Sequence, residues 1–315
     1  MEAEPLVSII LPTYNRCHTI PRAINSVLNQ TYTNWELIIV DDGSTDGTKN
    51  LLRELIHDKR IKYHYKKNKG PSSARNFGVS ISKGTYICFL DSDDEFVANK
   101  LIKHIFEMKK FNAPASISNV RVYYPHGKKI RVYNKKRFLV SYQNLIDSKI
   151  GSLMNIVIKK GIIKNLKLDP TLSIAEDLDL ILRILESNQS ILFINETLLN
   201  VYKDTNNKRL SSDYDRKIKN YLFLISKFQN NPYRLSNEHR DLFLKKFYLE
   251  LGFFYCLKKD YLNARVYIDK GMVFQQEYKI SIKYKILHFV IQFPKILDIF
   301  TYIGLKLWNR GLIKL

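Results

Sequence analysis

Residues 36–46 read ELIIVDDGSTD: four aliphatic residues, Leu37-Ile38-Ile39-Val40, run without polar alternation and stop at Asp41-Asp42-Gly43-Ser44. An aliphatic run of this kind, closed by Asp-Gly-Ser turn chemistry, reads as a strand buried on both faces. The same grammar repeats on either side. Upstream, Val7–Leu11 reads as a strand and Ile20–Gln30 as a helix. Downstream, Ser44-Thr45-Asp46 offers N-cap side chains to a helix over Thr48–Ile56. A strand at Ile61–Tyr65, a helix at Ser72–Ser82 and a strand at Tyr86–Leu90 follow. Strands alternating with helices pack as a mostly parallel sheet covered on both faces, so the fold class is α/β. Ligands bind such sheets at the carboxyl ends of the strands.

That rule selects three turns: Pro12-Thr13-Tyr14-Asn15 after the first strand, Asp41-Asp42-Gly43-Ser44 after the second and Asp91-Ser92-Asp93-Asp94 after the fourth. All three are expected to meet at one rim. Acids and amides gathered there repel unless cations sit among them, which makes a divalent metal physically reasonable. Any one of these turns alone reads equally well as plain turn chemistry; three in register favour a site.

Composition bounds the remainder. With 315 residues, 45% hydrophobic and 26% charged, the chain is globular, with room for one α/β domain of about 200 to 250 residues and an appendage. Its net charge of +21 is uneven: +1 over residues 1–100, +8 over 101–200 and +12 over 201–315. The basic C-terminal part argues for a polyanionic partner, nucleic acid or an anionic membrane surface. Cys17, Cys88 and Cys256 are too far apart for a metal motif or disulfide framework and read as thiols in a reducing compartment. The N-terminus carries acids where a secretion signal needs positive charge, and no run of 18 uncharged apolar residues occurs.

From about 116 to 202 the pattern turns β-rich, with strands expected at Ile117–Tyr124, Ile130–Tyr133, Asn155–Ile158 and Leu198–Tyr202. A helix starting near Ala175-Glu176-Asp177 interrupts them, and Asp179 with Arg183 fits an i,i+4 pair on it. From about Arg216 the chain reads as helices.

Five segments now stand in order: Val7-Ser8-Ile9-Ile10-Leu11-Pro12-Thr13-Tyr14-Asn15, Asp41-Asp42-Gly43-Ser44-Thr45-Asp46, Asn68 through Ala74-Arg75-Asn76, Asp91-Ser92-Asp93-Asp94, and Glu176-Asp177. Together they resemble the inverting nucleotide-sugar glycosyltransferases of family 2, which have the GT-A fold. The resemblance implies a catalytic domain over 1–215, with a nucleotide-binding half (1–115) and an acceptor-binding half (116–215); it leaves the last hundred residues uncovered, where the helical pattern marks 216–315 as an α-helical C-terminal region. It implies that Tyr14, beside Pro12, lies against the uracil ring, and that Asp42 accepts from the uracil N3–H, which thymine shares and cytosine lacks. Asn68 and Arg75 complete the base and ribose pocket, Asp91 bonds the ribose, and Asn15 and Ser92 belong to the same donor-binding set. Asp93 takes the metal, Mn²⁺ or Mg²⁺, and Asp177 is the catalytic base, with Glu176 positioning the acceptor or the helix start.

Two departures refine this. There is no Gln-x-x-Arg-Trp motif, so one sugar per acceptor is expected instead of processive synthesis. No histidine lies between His126 and His239, where many relatives complete the diphosphate site; Lys203, Lys208 and Arg209 with Ser211 stand in the corresponding loop and are expected to neutralise the diphosphate. The implied reaction transfers a sugar from a UDP-sugar to a glycan or lipid-linked acceptor, in the manner of bacterial capsule, lipopolysaccharide or exopolysaccharide synthesis.

In the C-terminal region, Tyr248, Leu251, Gly252 and Tyr255, then Ala264, Ile268 and Gly271, fit one tetratricopeptide-like hairpin. A single repeat cannot bury its own face, so it is expected to dock on the catalytic domain or on another subunit as a homo-oligomer contact. Residues 279–315 interleave aromatics and aliphatics with Lys283, Lys285, Lys295, Lys306, Arg310 and Lys314. That pattern suits an anionic leaflet, which would make the protein cytoplasmic and peripheral on the inner face of the membrane. A terminal helix with a solvated basic edge fits it equally. The competing functions are a basic nucleic-acid-binding protein, which lacks any helix-turn-helix, zinc or RNP-type motif here, and an inactive scaffold, against which intact Asp42, Asp93 and Asp177 speak.

Overall fold

The unbroken aliphatic runs form strands that are buried along their whole length, as sheets covered on both faces require: β1 (Val7–Thr13) and β2 (Trp35–Asp41) have no exposed residue. The computed structural model describes residues 4–124, 129–132, 138–146, 155–172, 174–203, 213–230, 233 and 235–274. The chain falls into two units, Met1–Asp204 and Thr205–Leu315.

In the first unit, α1 (Ile20–Leu28) separates β1 from β2, and α2 (Thr48–Leu55), β3 (Ile61–Tyr65), α3 (Pro71–Ile81), β4 (Tyr86–Phe89), β5 (Glu95–Phe96) and α4 (Lys100–Lys110) follow. Then come β6 (Ala115–Tyr123), β7 (Lys129–Val132), β8 (Phe138–Leu139), α5 (Tyr142–Ile146), β9 (Ile156–Lys159), α6 (Lys160–Leu166), α7 (Glu176–Glu186) and β10 (Ile191–Tyr202). The strands make one mixed sheet in the order β3-β2-β1-β4-β9-β6-β10-β5, with β7 beside β6 and β8 beside β10. Strands β3, β2, β1 and β4 are mutually parallel, while β9 runs antiparallel to both β4 and β6. The expected α/β sheet is therefore present, with its parallel part confined to the N-terminal half and to the β6–β10 pair.

Val7, Ile9 and Leu11 pack on one face with Ile20, Ile24 and Val27 of α1 and Leu101, Ile105 and Met108 of α4. Helix α3 covers the other face, and Gly78 lets it settle on β1 and β2. A methyl group at Gly78 would overlap Ile10 Cγ2 and lie 3.4 Å from Val40 Cγ2. Gly to Ala normally favours a helix by about 1 kcal/mol, so the clash must exceed that to set the sign. We expect Gly78→Ala to destabilise by about 1–3 kcal/mol as an overpacked core. Urea unfolding checks it, and an unchanged or raised midpoint would mean that α3 can move off the sheet.

Strand β10 is longer than the expected Leu198–Tyr202. Its register against β6 shifts between Ile194 and Leu199, and this irregularity turns Asn195, Glu196 and Thr197 away from the core. The polar break hid the first half of the strand from the pattern. The short β5, β8, α5 and α6 were not anticipated; none is long enough to carry a period. Residues 125–128, between the strands expected at Ile117–Tyr124 and Ile130–Tyr133, lie outside the described residues.

In the second unit, α8 (Tyr214–Gln229), α9 (Asn237–Leu257) and α10 (Tyr261–Met272) are each capped by a side-chain oxygen, of Asp213, Ser236 and Asp260 respectively. Helices α9 and α10 form a hairpin around Leu249, Cys256, Ala264 and Ile268. Gly252 lies beneath Ile268, and Tyr255 stacks on Tyr267 at 5.4 Å. Phe228, Phe243 and Phe247 build the α8–α9 contact. The expected basic segment 279–315 lies outside the described residues. Among the described residues no helix is long and apolar enough to cross a membrane.

Candidate active site

The first two turns are stitched together by their own polar groups. Asp42 N–H donates to the Thr13 carbonyl (2.8 Å), Asn15 N–H to Ser44 Oγ (2.9 Å), and Thr45 N–H to Asn15 Oδ1 (2.8 Å). Asn15 has φ 52°, a left-handed conformation that asparagine tolerates better than most residues. Asp41 turns inward and accepts from Ser44 N–H (2.8 Å) and the Tyr63 hydroxyl (2.8 Å). Tyr14, next to Pro12, is 46% exposed, which leaves an aromatic face open at the rim.

Asp42 is 3% exposed, and its carboxylate gathers the loop between β3 and α3. It accepts from Lys66 Nζ, from Lys69 N–H (3.0 Å) and from Gly70 N–H (2.7 Å). Gly43 completes this junction: at φ 89° a side chain would be strained, and a Cβ would sit 3.0 Å from Asn68 N. Asp42 and Asn68, singled out separately in the sequence, thus belong to one structure, with Asn68 exposed on it. Lys66 was not anticipated. Only the register that ends β3 beside Asp41 brings it to the rim.

Arg75, on α3, is 5% exposed and reaches across the site. Nη2 donates to Asp91 Oδ1 (2.7 Å) and Nη1 to Glu176 Oε1 (2.9 Å). Burial alone would lower its pKa, but the two carboxylates outweigh burial and raise it above the ordinary guanidinium value. Arg75 is therefore a fixed cation that joins the turn after β4 to the first turn of α7, and both of its terminal nitrogens are engaged there.

Asp177 lies beside Glu176 on that first turn, and its Oδ1 accepts from Leu178 N–H (2.8 Å). Burial first, and the Glu176 carboxylate second, push its carboxyl well above the usual range, while the Leu178 N–H and Arg75 work in the opposite sense. The helix itself is locked from behind: Asp179 and Arg183 form the expected i,i+4 pair at 2.6 Å, and Arg183 also donates to the Lys167 carbonyl at 2.7 Å.

In the turn after β4, Ser92 and Asp94 are buried and Asp93 is half-buried. Asp94 N–H donates to the Asp91 carbonyl (3.0 Å), and Tyr202 N–H to Asp94 Oδ1 (3.2 Å). Of the rim acids, Asp42 is paired with Lys66 and Asp91 with Arg75, cations of the chain itself. Among the described residues no cluster of three His, Cys, Asp or Glu side chains could hold a metal ion. Lys203 donates its N–H to the Tyr123 carbonyl (2.8 Å) at the end of β10; Lys208 and Arg209 lie outside the described residues.

A sheet of this order, with acids at the carboxyl rim and an acidic helix start facing it, can be compared with known families. The model of "Glycosyl transferase family 2" matches residues 8–166, just over half of the chain. The chain belongs to glycosyl transferase family 2. Among similar proteins, Bacillus subtilis TuaG, a putative teichuronic acid biosynthesis glycosyltransferase, is 30% identical over 213 residues, covering 67% of this chain and 84% of TuaG. Escherichia coli WfgD, named a UDP-Glc:α-D-GlcNAc-diphosphoundecaprenol β-1,3-glucosyltransferase, is 46% identical over 118 residues, 37% of this chain and 46% of WfgD. The chain spans under a fifth of the length of longer uncharacterized Rickettsia glycosyltransferases, 19% for the Rickettsia bellii protein. The crystal structure of Staphylococcus aureus TarS 1–349 with UDP-GlcNAc aligns over 98% of this chain and 92% of that one, with a TM-score of 0.66 at 17% identity, a likeness of fold.

Proposed function

We propose that the protein is a metal-dependent, inverting, non-processive glycosyltransferase that moves one sugar from a UDP-sugar to a hydroxyl of a glycan or lipid-linked acceptor in bacterial surface-glycan synthesis. The observation that carries this reading is the Asp91–Arg75–Glu176 bridge, which joins the donor-end turn to the helix start bearing Asp177. The name of WfgD supports a UDP donor and a lipid-diphosphate acceptor, and the TarS structures with UDP and UDP-GlcNAc support the donor class.

In this reading the Tyr14 ring stacks on uracil, and the loop held by Asp42 presents Asn68 to the base. Asp177 takes the acceptor hydroxyl's proton as that oxygen attacks the anomeric carbon, while the bond to UDP breaks on the opposite face. The new C–O bond inverts the anomeric centre and UDP leaves with the electron pair. Asp93 contributes one hard oxygen, a donor set that suits a divalent ion only when phosphate oxygens share it. Mn²⁺ or Mg²⁺ held in that way would neutralise charge on the diphosphate. Attachment to the inner membrane face through 279–315, and docking of the helical hairpin on the catalytic domain or on another subunit, complete the proposal.

A thermal-shift panel of UDP, GDP, CDP and TDP, each with and without Mn²⁺ or Mg²⁺, tests the donor site, since a ligand of the folded state raises the midpoint. UDP should shift the wild type in a metal-dependent way, and Asp93→Ala should lose the metal dependence. No shift with any nucleotide would sink the proposal.

A further inference from the structure

Arg22, on α1, was not singled out in the sequence and has no part in the mechanism above, yet it sits against the turn that carries Asp93. Its Nη2 donates to the Asp93 backbone carbonyl at 2.6 Å. The same guanidinium lies over the Tyr202 ring, its Cζ 3.7 Å from the centroid. Tyr202 in turn stacks on Tyr123 at 4.7 Å with 8° between the planes, and its hydroxyl donates to Glu95 Oε2 at 2.5 Å. Through its N–H, Tyr202 also reaches Asp94 Oδ1 (3.2 Å). The turn after β4 is thus held at Asp91 by Arg75, at Asp93 by Arg22 and at Asp94 by the end of β10.

Arg22 Nε is buried without a hydrogen-bond partner, a cost that the cation–π contact and the hydrogen bond to the Asp93 carbonyl offset. The geometry demands arginine. A planar guanidinium can lie on a ring and donate edge-on to a carbonyl at once, whereas an ammonium must choose between them.

We propose that Arg22 is a positioning residue for Asp93. By fixing the Asp93 peptide from the carbonyl side, it sets the direction in which the carboxylate leaves the turn, and the Tyr202–Tyr123 stack fixes Arg22. This rests on the donor-site reading, in which Asp93 meets a metal–diphosphate. The end of β10 and the Asp93 turn would then behave as one unit, so that a change at Tyr202 is felt at Asp93 without touching it.

The test uses the full chain with two readouts, one of which needs no ligand. Hydrogen exchange of the 91–96 segment in the ligand-free protein should quicken in Arg22→Lys and in Tyr202→Leu. The Mn²⁺ concentration giving half of the metal-dependent UDP shift should rise by about tenfold or more in both, the usual consequence of losing a partner that orients a metal ligand. Because the two residues act through one contact, the double variant should do little more than either single one. Arg22→Lys keeps the charge and the stem, which guards against a variant that merely fails to fold. Wild-type exchange at 91–96 and a wild-type Mn²⁺ midpoint in Arg22→Lys would overturn the proposal. The absence of any nucleotide shift in the wild type would instead overturn the donor-site reading beneath it.

Discussion

Asp177→Asn is expected to lower sugar transfer by about a hundred- to ten-thousandfold, the usual contribution of a positioned general base, while UDP still raises the thermal midpoint as in the wild type. The amide keeps the shape and can still accept from Leu178 N–H, so loss of proton acceptance is isolated from loss of structure. Transfer within about threefold of the wild type would remove Asp177 from the base role, because general-base catalysis is larger than that.

The same residue predicts two pH effects with opposite consequences. A base must be ionised to act, and burial together with Glu176 raises the Asp177 carboxyl. Transfer should therefore fall, as pH is lowered, earlier than it would for an ordinary carboxylate. Glu176→Gln removes the neighbouring negative charge and should move that acid limb to lower pH. For stability the sign reverses. A carboxyl whose folded pKa is raised contributes stability fully present below its unfolded value and lost as pH rises through the folded one. At and above neutrality the ionised Asp177 thus works against the fold, and Asp177→Asn should unfold at higher urea than the wild type there. A residue that weakens the fold where the chemistry needs it is common at active sites.

Much of this was legible because it is local. Buried strands appear as unbroken aliphatic runs, and acids just after them fall at the carboxyl rim whatever the details, so Asp42, Asp91 and Asp93 could be chosen by position; the Glu176-Asp177 pair, at a helix start, was chosen only through the family resemblance. What joins them was not legible. Arg75 meets Glu176 across 101 residues and Asp42 meets Lys66 across 24, and such pairings depend on strand order, which no period in the chain encodes. The expectation that cations sit among the rim acids is met at two of them by side chains of the chain itself, Lys66 at Asp42 and Arg75 at Asp91. The first half of β10 was missed for a different reason: its register irregularity breaks the apolar pattern just where the strand continues.

Arg75→Met should be the most disruptive single change outside the base. The side chain is 5% exposed, and removing it strands two carboxylates that now share one cation. Breaking a buried pair by deleting one partner costs about 3–5 kcal/mol. The two arms are unequal: the Asp91 side chain is 41% exposed, so water screens it, whereas Glu176 is 12% exposed and bears most of the penalty. The lower end of that range, about 3 kcal/mol, is the expectation for urea unfolding at neutral pH. A companion variant separates charge from shape. With Glu176→Gln added, Arg75→Met should recover most of the lost stability, because a neutral amide beside methionine is far cheaper to bury than an unpaired carboxylate. Nucleotide binding should not recover with it, since Asp91 is still untethered and the turn that carries Asp93 loses one of its anchors. Recovery of both would mean that Arg75 serves stability alone. A loss below about 1 kcal/mol in the single variant, the worth of an exposed ion pair, would mean that water reaches this bridge and that it does not bind the donor-end turn to the helix of Asp177.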